Sequence, residues 1–340
     1  MDKSLMDMLE CPICHNPFDW QIVVANNSQI ERAEARCSGC NAIYPVMDGI
    51  GVFLTPDLPR DDMWEQVDSH LALLLKENPD LERKLMDASL ETLSSTDQLL
   101  RKMVLEERGK FDESQRINTL NRLYAPDYMR CWDNQVEYVL ENLGEFRGPV
   151  VDLASGRGYL AEKIAGRLRH PVVVTDFSLR VLRRNQSYFR FLGLDNLASF
   201  VAFDARKTPF KNGAVEIMTT NVGFPNITDP MNLTDELKRI VNGTLLAISH
   251  FYPAEDETNG KAIVEAGLEM FLYKETTLRC FLESGWRAEF ENACASNAFP
   301  TPASDIFDIR PDGFPIAPTV LEWCTLRAVN SVDKLSLKSG

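Results

Sequence analysis

The pattern of apolar and polar positions divides the chain into stretches of different character. Residues 11 to 56 carry short period-2 apolar runs between turn residues and close on YPVMDGIGVFLTP, where Asp48-Gly49 between two apolar runs predicts a strand pair with a tight turn. Residues 57 to 112 instead repeat Leu and Met at helical spacing in DDMWEQVDSHLALLLKE and DLERKLMDASLETLSSTDQLLRKMVLEERG, with a break at Asn78 and Pro79. Such a segment suits a helical spacer, a lid or a partner-binding surface. RINTLNRLYAPDYMRCWDNQVEYVLENLGEFRG then supplies one or two helices, interrupted near Ala125 and Pro126.

From Val150 onward strand and helix alternate. Strands are expected at Val150 to Ala154, Val172 to Asp176, Leu197 to Phe203, Val215 to Thr220 and Thr244 to His250, with helices at Gly158 to Arg169, Ser178 to Leu192 and Leu233 to Val241. A helix from Lys274 to Ser284 ends at Gly285, and strands at Trp286 to Ala293 and Leu321 to Val329 flank a long Pro-containing excursion. This rhythm belongs to an α/β fold: a doubly wound, mostly parallel seven-stranded sheet, the last strand an antiparallel insertion. The expected organisation is a small ribbon at 1–56, a helical linker or lid at 57–119, the α/β domain at 120–330 and a loose tail at 331–340.

Length and charge narrow the classes. The 340 residues suffice for one large core and a satellite, and 44% hydrophobic with 25% charged is ordinary globular composition. MDKSLMDMLE lacks the basic and apolar regions of a secretory signal, and no run of about 18 apolar residues occurs, so a soluble, cytoplasmic protein is expected. A net charge of −14 weighs against non-specific affinity for nucleic acid. Bases do cluster at Lys163, Arg167, Arg169 and His170 and at Arg180, Arg183, Arg184 and Arg190, which suits a solvated helix face or a local anionic substrate.

Two of the eight cysteines' spacings carry chemistry. Cys11-x-x-Cys14 and Cys37-x-x-Cys40, 22 residues apart, can bring four thiolates to one tetrahedral zinc ion, a closed structural site; a redox dithiol and a chance pairing are the other readings. Gly39 is expected to supply the positive φ of a knuckle. So short a segment buries little surface, so metal binding would contribute folding free energy directly. CPIC, CSGC and YPVMDGIGVFL resemble the zinc-ribbon family of small activator subunits that bind methyltransferases; the resemblance implies that this ribbon contacts the methyltransferase domain or another protein.

PVVDLASGRGYLAEKIA is a strand-turn-helix of the nucleotide-binding type. Gly156 and Gly158 allow close backbone approach to a ligand, and Asp176, at the tip of the next strand, can accept both hydroxyls of an adenosine ribose. Gly156, Gly158 and Ala161 also satisfy G-x-G-x-x-A, so an NAD-binding oxidoreductase stands as an alternative. Asp152, just ahead of the glycines, suits the cationic amino-acid end of S-adenosylmethionine better than a pyrophosphate.

Over roughly residues 120 to 330 the sequence resembles class I S-adenosylmethionine-dependent methyltransferases. Their first motif is matched by Asp152, Ala154, Gly156 and Gly158, with Ala154 in place of the usual first glycine. The resemblance implies that Asp176 and Phe177 meet ribose and adenine, that Asp204 and Ala205 reach the adenine amino group, and that Asn221, in Asn221-Val222-Gly223-Phe224, underlies the methionine moiety. Asn221-Val222-Gly223-Phe224-Pro225 departs from the Asn-Pro-Pro-aromatic run of base amino methylation. The layout is reminiscent of guanine-N1 ribosomal RNA methyltransferases, whereas Asp204-Ala205 before Pro209-Phe210 is common among enzymes acting on quinones and sterols.

No catalytic triad is visible, and a sulfonium cofactor does not need one. His250 and Tyr252, after the fifth strand, can orient or deprotonate a substrate or simply pack. Methyl transfer to a small or lipid-like molecule is the favoured expectation. An RNA or ribosome-associated protein substrate and a non-catalytic binding protein of the same fold are the alternatives.

Overall fold

The computed structural model describes residues 1–57, 71, 73–144 and 146–330, leaving the expected tail at 331–340 and part of the helical segment outside the described residues. The described strands are β1 (Phe18–Asn26), β2 (Gln29–Cys37), β3 (Ile43–Met47), β4 (Ile50–Val52), β5 (Val150–Asp152), β6 (Val172–Asp176), β7 (Ala198–Ala202), β8 (Val215–Asn221), β9 (Val241–Phe251), β10 (Arg287–Ala298) and β11 (Thr319–Val329). They form one eleven-stranded sheet in the order β1-β2-β3-β4-β7-β6-β5-β8-β9-β11-β10. The expected seven-stranded sheet is thus corrected in extent. Strands β5 to β11 are the anticipated ones, with β11 inserted antiparallel between β9 and β10, and β1 to β4 extend the same sheet.

The joint is a parallel pairing of β4 with β7, Ile50 to Val52 against Phe200 to Ala202. Without it β7 would present an open edge of hydrogen-bonding groups. The Asp48-Gly49 turn sets β4 in place: both residues have positive φ, 52° and 81°, and join Met47 to Ile50 as a tight hairpin. A second contact runs through Leu9 and Glu10, the latter donating its amide to the Pro209 carbonyl at 2.7 Å, while the Lys211 amide donates to Met8 at 2.9 Å.

Period-2 alternation assigns each strand's residues to two cores. Val151, Val173 and Val201 face one side together with Leu5, Leu9, Tyr44 and Phe53 of the N-terminal module. Val150, Val172 and Phe200 face the other, against Leu182 and Phe189 of the Leu179–Phe191 helix. The module therefore shares a core with the domain.

The Ser95–Glu107 helix, capped by Ser94, and the Pro79–Asp87 helix form a third apolar cluster, in which Leu85, Leu99, Leu100 and Met103 meet Ile306, Phe307 and Ile309. Thr96 Oγ1 donates to the Pro302 carbonyl at 2.6 Å, and Asp97 accepts from Ser304. The helical segment is thus fastened to the excursion between β10 and β11. The helix expected from Gly158 to Arg169 is present as Tyr159–Lys163 continued by a wider π turn, Ile164–Leu168.

A Cβ on Gly51 would lie 2.9 Å from the Phe53 ring and 3.0 Å from Met1 Sδ at the seam between module and domain. Gly51→Ala should cost about 1–3 kcal/mol by overpacking, measured as a lower urea midpoint with an unchanged slope.

Candidate cofactor cleft and cysteine cluster

Two knuckle turns converge Cys11, Cys14, Cys37 and Cys40 so that their Sγ atoms all lie within 4.8 Å of one another. Cys11 to Cys40 is 3.6 Å and Cys14 to Cys37 is 3.3 Å, near the edge of about 3.8 Å expected for a tetrahedron with metal–sulfur bonds of about 2.3 Å. The Gly39 and Cys40 amides donate to Cys37 Sγ at 3.3 and 3.4 Å. Burial pushes the Cys11 thiol up to about 12, whereas Asn16 hydrogen bonds draw Cys14 down to about 6. Positive φ falls on His15 (57°) and Asn41 (61°), which corrects the expectation for Gly39. Gly39 is needed for space instead, because its Cβ would meet Asn16 Nδ2 at 2.5 Å.

The glycine turn after β5 is stitched to both neighbouring strands. The Leu153 amide donates to Thr219 O at 2.8 Å, the Ser155 amide to Thr175 O at 2.7 Å, and Thr220 Oγ1 to Leu153 O at 2.8 Å. Gly156 and Gly158 both have positive φ, 50° and 72°. Ala154 does too, at 48°, a left-handed conformation that costs a residue with a Cβ about 1–2 kcal/mol. Space for its methyl comes from Gly223, where an added Cβ would sit 3.0 Å from that of Ala154. Val222, also at positive φ (55°), marks the adjacent turn as strained.

Of the residues singled out by sequence, Ala154, Asp176, Phe177, Asp204 and Ala205 line one cleft at the carboxyl ends of β5, β6 and β7, closed opposite by Ile227 and Thr228. Gly156 adjoins them, its amide donating to Asp176 Oδ2 at 3.1 Å. Gly158 opens the following helix. Asp152 lies beneath the turn: only 1% exposed, it accepts from Thr219 Oγ1 at 2.9 Å, and burial pushes its carboxyl up to about 7. Asn221, at the end of β8, is not among the residues that line this cleft and accepts from Trp132 Nε1 at 3.0 Å.

Four partners of these residues belong to no motif in the sequence. Arg206 grips Asp204 through Nε (2.9 Å) and Nη2 (2.6 Å) and reaches Thr228 Oγ1 at 2.7 Å, joining two residues that line the cleft. Glu106, near the end of the Ser95–Glu107 helix, pairs with Arg157 of the glycine turn and with Lys102. Arg184 and Asn185 donate to the Gly156 carbonyl at 3.1 and 2.9 Å. In the sequence Arg184 stands out only as one of a cluster of bases, and no spacing rule links residue 106 to residue 157.

Residues 150–243 match the family model described as "Methyltransferase domain", and residues 2–49 that described as "Trm112p-like protein". The chain carries a methyltransferase domain. It is similar to the demethylmenaquinone methyltransferase of Clavibacter sepedonicus, 29% identical over 124 residues, 36% of this chain and 47% of that protein. It is also similar to the ubiquinone/menaquinone biosynthesis C-methyltransferase UbiE of Shewanella baltica, 28% identical over 146 residues, 42% of this chain and 57% of the relative. The chain thus spans about half the length of the curated relatives it matches. Among solved structures, geranyl diphosphate C-methyltransferase from Streptomyces coelicolor aligns with TM-score 0.46 and 17% identity over 64% of this chain and 83% of that one. No helix among the described residues is long and apolar enough to cross a membrane.

Two measurements test this geometry. Ala154→Gly should stabilise the protein by about 0.5–1 kcal/mol, relief of the left-handed strain exceeding the added chain entropy, seen as a higher urea midpoint. The Asp152 carboxyl titrates near 3.8 when unfolded and about 7 when folded. Folded protein therefore holds the extra proton between those values. The stability it contributes is full below about pH 4 and lost as pH rises through 7. Asp152→Asn should flatten the pH dependence of the unfolding midpoint across that window, and an unaltered profile would contradict the assignment.

Proposed function

We propose that the protein is an S-adenosylmethionine-dependent methyltransferase acting on a small or lipid-like molecule, with a structural zinc ion in the cysteine cluster. The observation that carries the reading is the convergence of Ala154, Asp176, Phe177, Asp204 and Ala205 on one cleft beside the glycine turn, supported by the methyltransferase-domain match over the same strands. That match favours S-adenosylmethionine over NAD. The similarity to methyltransferases of menaquinone and ubiquinone biosynthesis favours a small acceptor.

The donor set fits the cofactor. Asp176 offers carboxylate oxygens to a ribose; Leu153, Phe177 and Ile227 offer apolar faces to adenine; the exposed side of Gly156 leaves room for backbone approach. When bound, S-adenosylmethionine supplies an electrophilic methyl group, so the protein's task is alignment and exclusion of water. Asp204 remains able to accept from an adenine amino group because a carboxylate has about four acceptor sites. Asp152 acts from below, through the turn it braces.

In this reading the unit at 120–330 carries the cofactor, the helices within 57–119 hold the glycine turn through Glu106, and the module at 1–56 braces the adenosine edge. The ribbon's contacts with β7 and with Pro209 to Lys211 are made within the chain, so its role is to support its own domain. Leu9 and Glu10 immediately precede the ligand Cys11, so metal binding is coupled to the loop following Asp204.

Calorimetric titration should give saturable binding of S-adenosylmethionine and none of NADH. Removal of metal by a chelator should weaken that binding about ten-fold. Absence of S-adenosylmethionine binding by the folded protein would refute the reading, and equal affinity with and without metal would refute the coupling.

A further inference from the structure

The loop between β7 and β8 supplies Phe203, Asp204, Ala205 and Arg206 to the cleft before it returns to the sheet at Val215. Its buried backbone groups need partners as much as those of a strand do. Thr208, fully buried, finds one in a distant carboxylate: its amide and its hydroxyl both donate to Glu236 Oε1, each at 2.7 Å. Glu236 belongs to the Pro230–Ile240 helix, 28 residues further along the chain.

Arg239, one turn on, grips the same carboxylate with two prongs: Nε donates to Oε2 at 2.8 Å and Nη2 to Oε1 at 2.7 Å. Its Nη1 donates to Glu10 Oε1 of the N-terminal module at 2.9 Å and to Asn212 Oδ1 at 2.8 Å, and its carbonyl accepts from the Gly213 amide at 2.9 Å. The side chains of Glu10, Glu236 and Arg239 are only 12, 10 and 20% exposed. A bidentate guanidinium–carboxylate pair is stronger and more directional than a single hydrogen bond. At such depth, a charge that loses its partner is costly to keep. Two carboxylates from separate parts of the fold therefore share one guanidinium, and the loss of either changes how it sits against the other.

We propose that Glu236 is a positioning residue for the adenosine side of the cleft, and that Arg239 carries the module's hold to it. Glu10 orients Arg239, Arg239 orients Glu236, and Glu236 fixes the Thr208 amide two residues beyond Arg206. Neither Glu236 nor Arg239 lines the cleft, so both act through the loop. The proposal rests on the methyltransferase reading in naming adenosine as what the loop meets. It adds a side-chain route, separable by substitution, to the backbone contact of Glu10 with Pro209.

The test uses the full, metal-replete chain and combines backbone-amide hydrogen exchange with titration by S-adenosylmethionine. In cofactor-free protein, Glu236→Ala should speed exchange at Thr208 about ten-fold and leave the Leu153 and Ser155 amides of the glycine turn unchanged. A general loosening would speed all three. The same substitution should weaken S-adenosylmethionine binding about ten-fold. Glu10→Gln should weaken it about three-fold in the otherwise unmodified chain and add nothing in the Glu236→Ala background, because independent sites add and linked ones do not. Should Glu236→Ala not fold, Glu10→Gln alone reads the route, as exchange at Thr208 about three-fold faster. Unmoved Thr208 exchange, equal acceleration in the glycine turn, or additive losses would overturn the proposal. S-adenosylmethionine binding with unmoved Thr208 exchange overturns the positioning role alone. Faster Thr208 exchange in a protein that binds no S-adenosylmethionine overturns the methyltransferase reading and leaves the hold on the loop standing.

Discussion

The parallel pairing of β4 with β7 is the contact on which the arrangement of this protein depends. A parallel sheet is stable when its faces are covered and its edges are managed, and here the β7 edge is covered by the N-terminal module. The same junction lets Leu5, Leu9, Tyr44 and Phe53 enter the core that Val151, Val173 and Val201 present. A four-cysteine module too small to bury much surface alone gains a domain's core, and the domain gains a closed edge. Because Leu9 and Glu10 also pair with Pro209 to Lys211, the loop following Asp204 is held from outside by the residues that lead into the first cysteine knuckle.

The glycine turn is held from the opposite direction. Hydrogen bonds from β6 and β8 fix its backbone, Arg184 and Asn185 fix the Gly156 carbonyl, and Glu106 fixes Arg157. The last of these ties the turn to the helical segment, which is itself fastened to the excursion between β10 and β11 through Thr96, Asp97 and a small apolar cluster. The excursion also carries Asp312, which accepts from the Tyr124 hydroxyl. Glycine turn, helical segment and excursion are thus linked through a continuous set of packed and hydrogen-bonded residues.

Two turns that border the cleft are strained. Ala154 and Val222 both adopt left-handed backbone, and Gly223 makes room for the methyl of Ala154. A residue with a Cβ is held in such a conformation only when its surroundings over-determine it, and the hydrogen bonds from Leu153 to Thr219 and from Val222 to Ile248 do so here. The departure from glycine at position 154 is therefore matched within the chain by a glycine at position 223.

What the sequence by itself determined is whatever depends on neighbouring residues: the strand and helix rhythm from Val150, the Asp48-Gly49 hairpin, the break at Pro126, the spacing of the cysteines and the acids at strand tips. Those signals are local because backbone preference, side-chain period and turn chemistry act over a few residues. The tertiary structure alone decided that the ribbon joins the large sheet, since edge pairing depends on which strand is left open. It alone brought Glu106 to Arg157, moved the knuckle's positive φ from Gly39 to His15 and Asn41, and placed Asp152 under the turn rather than in the cleft. It also gathered Tyr128, His250 and Trp323 from separate elements into one aromatic cluster. Their contacts span long stretches of chain, and no local pattern in a single sequence records what folding brings together across such distances.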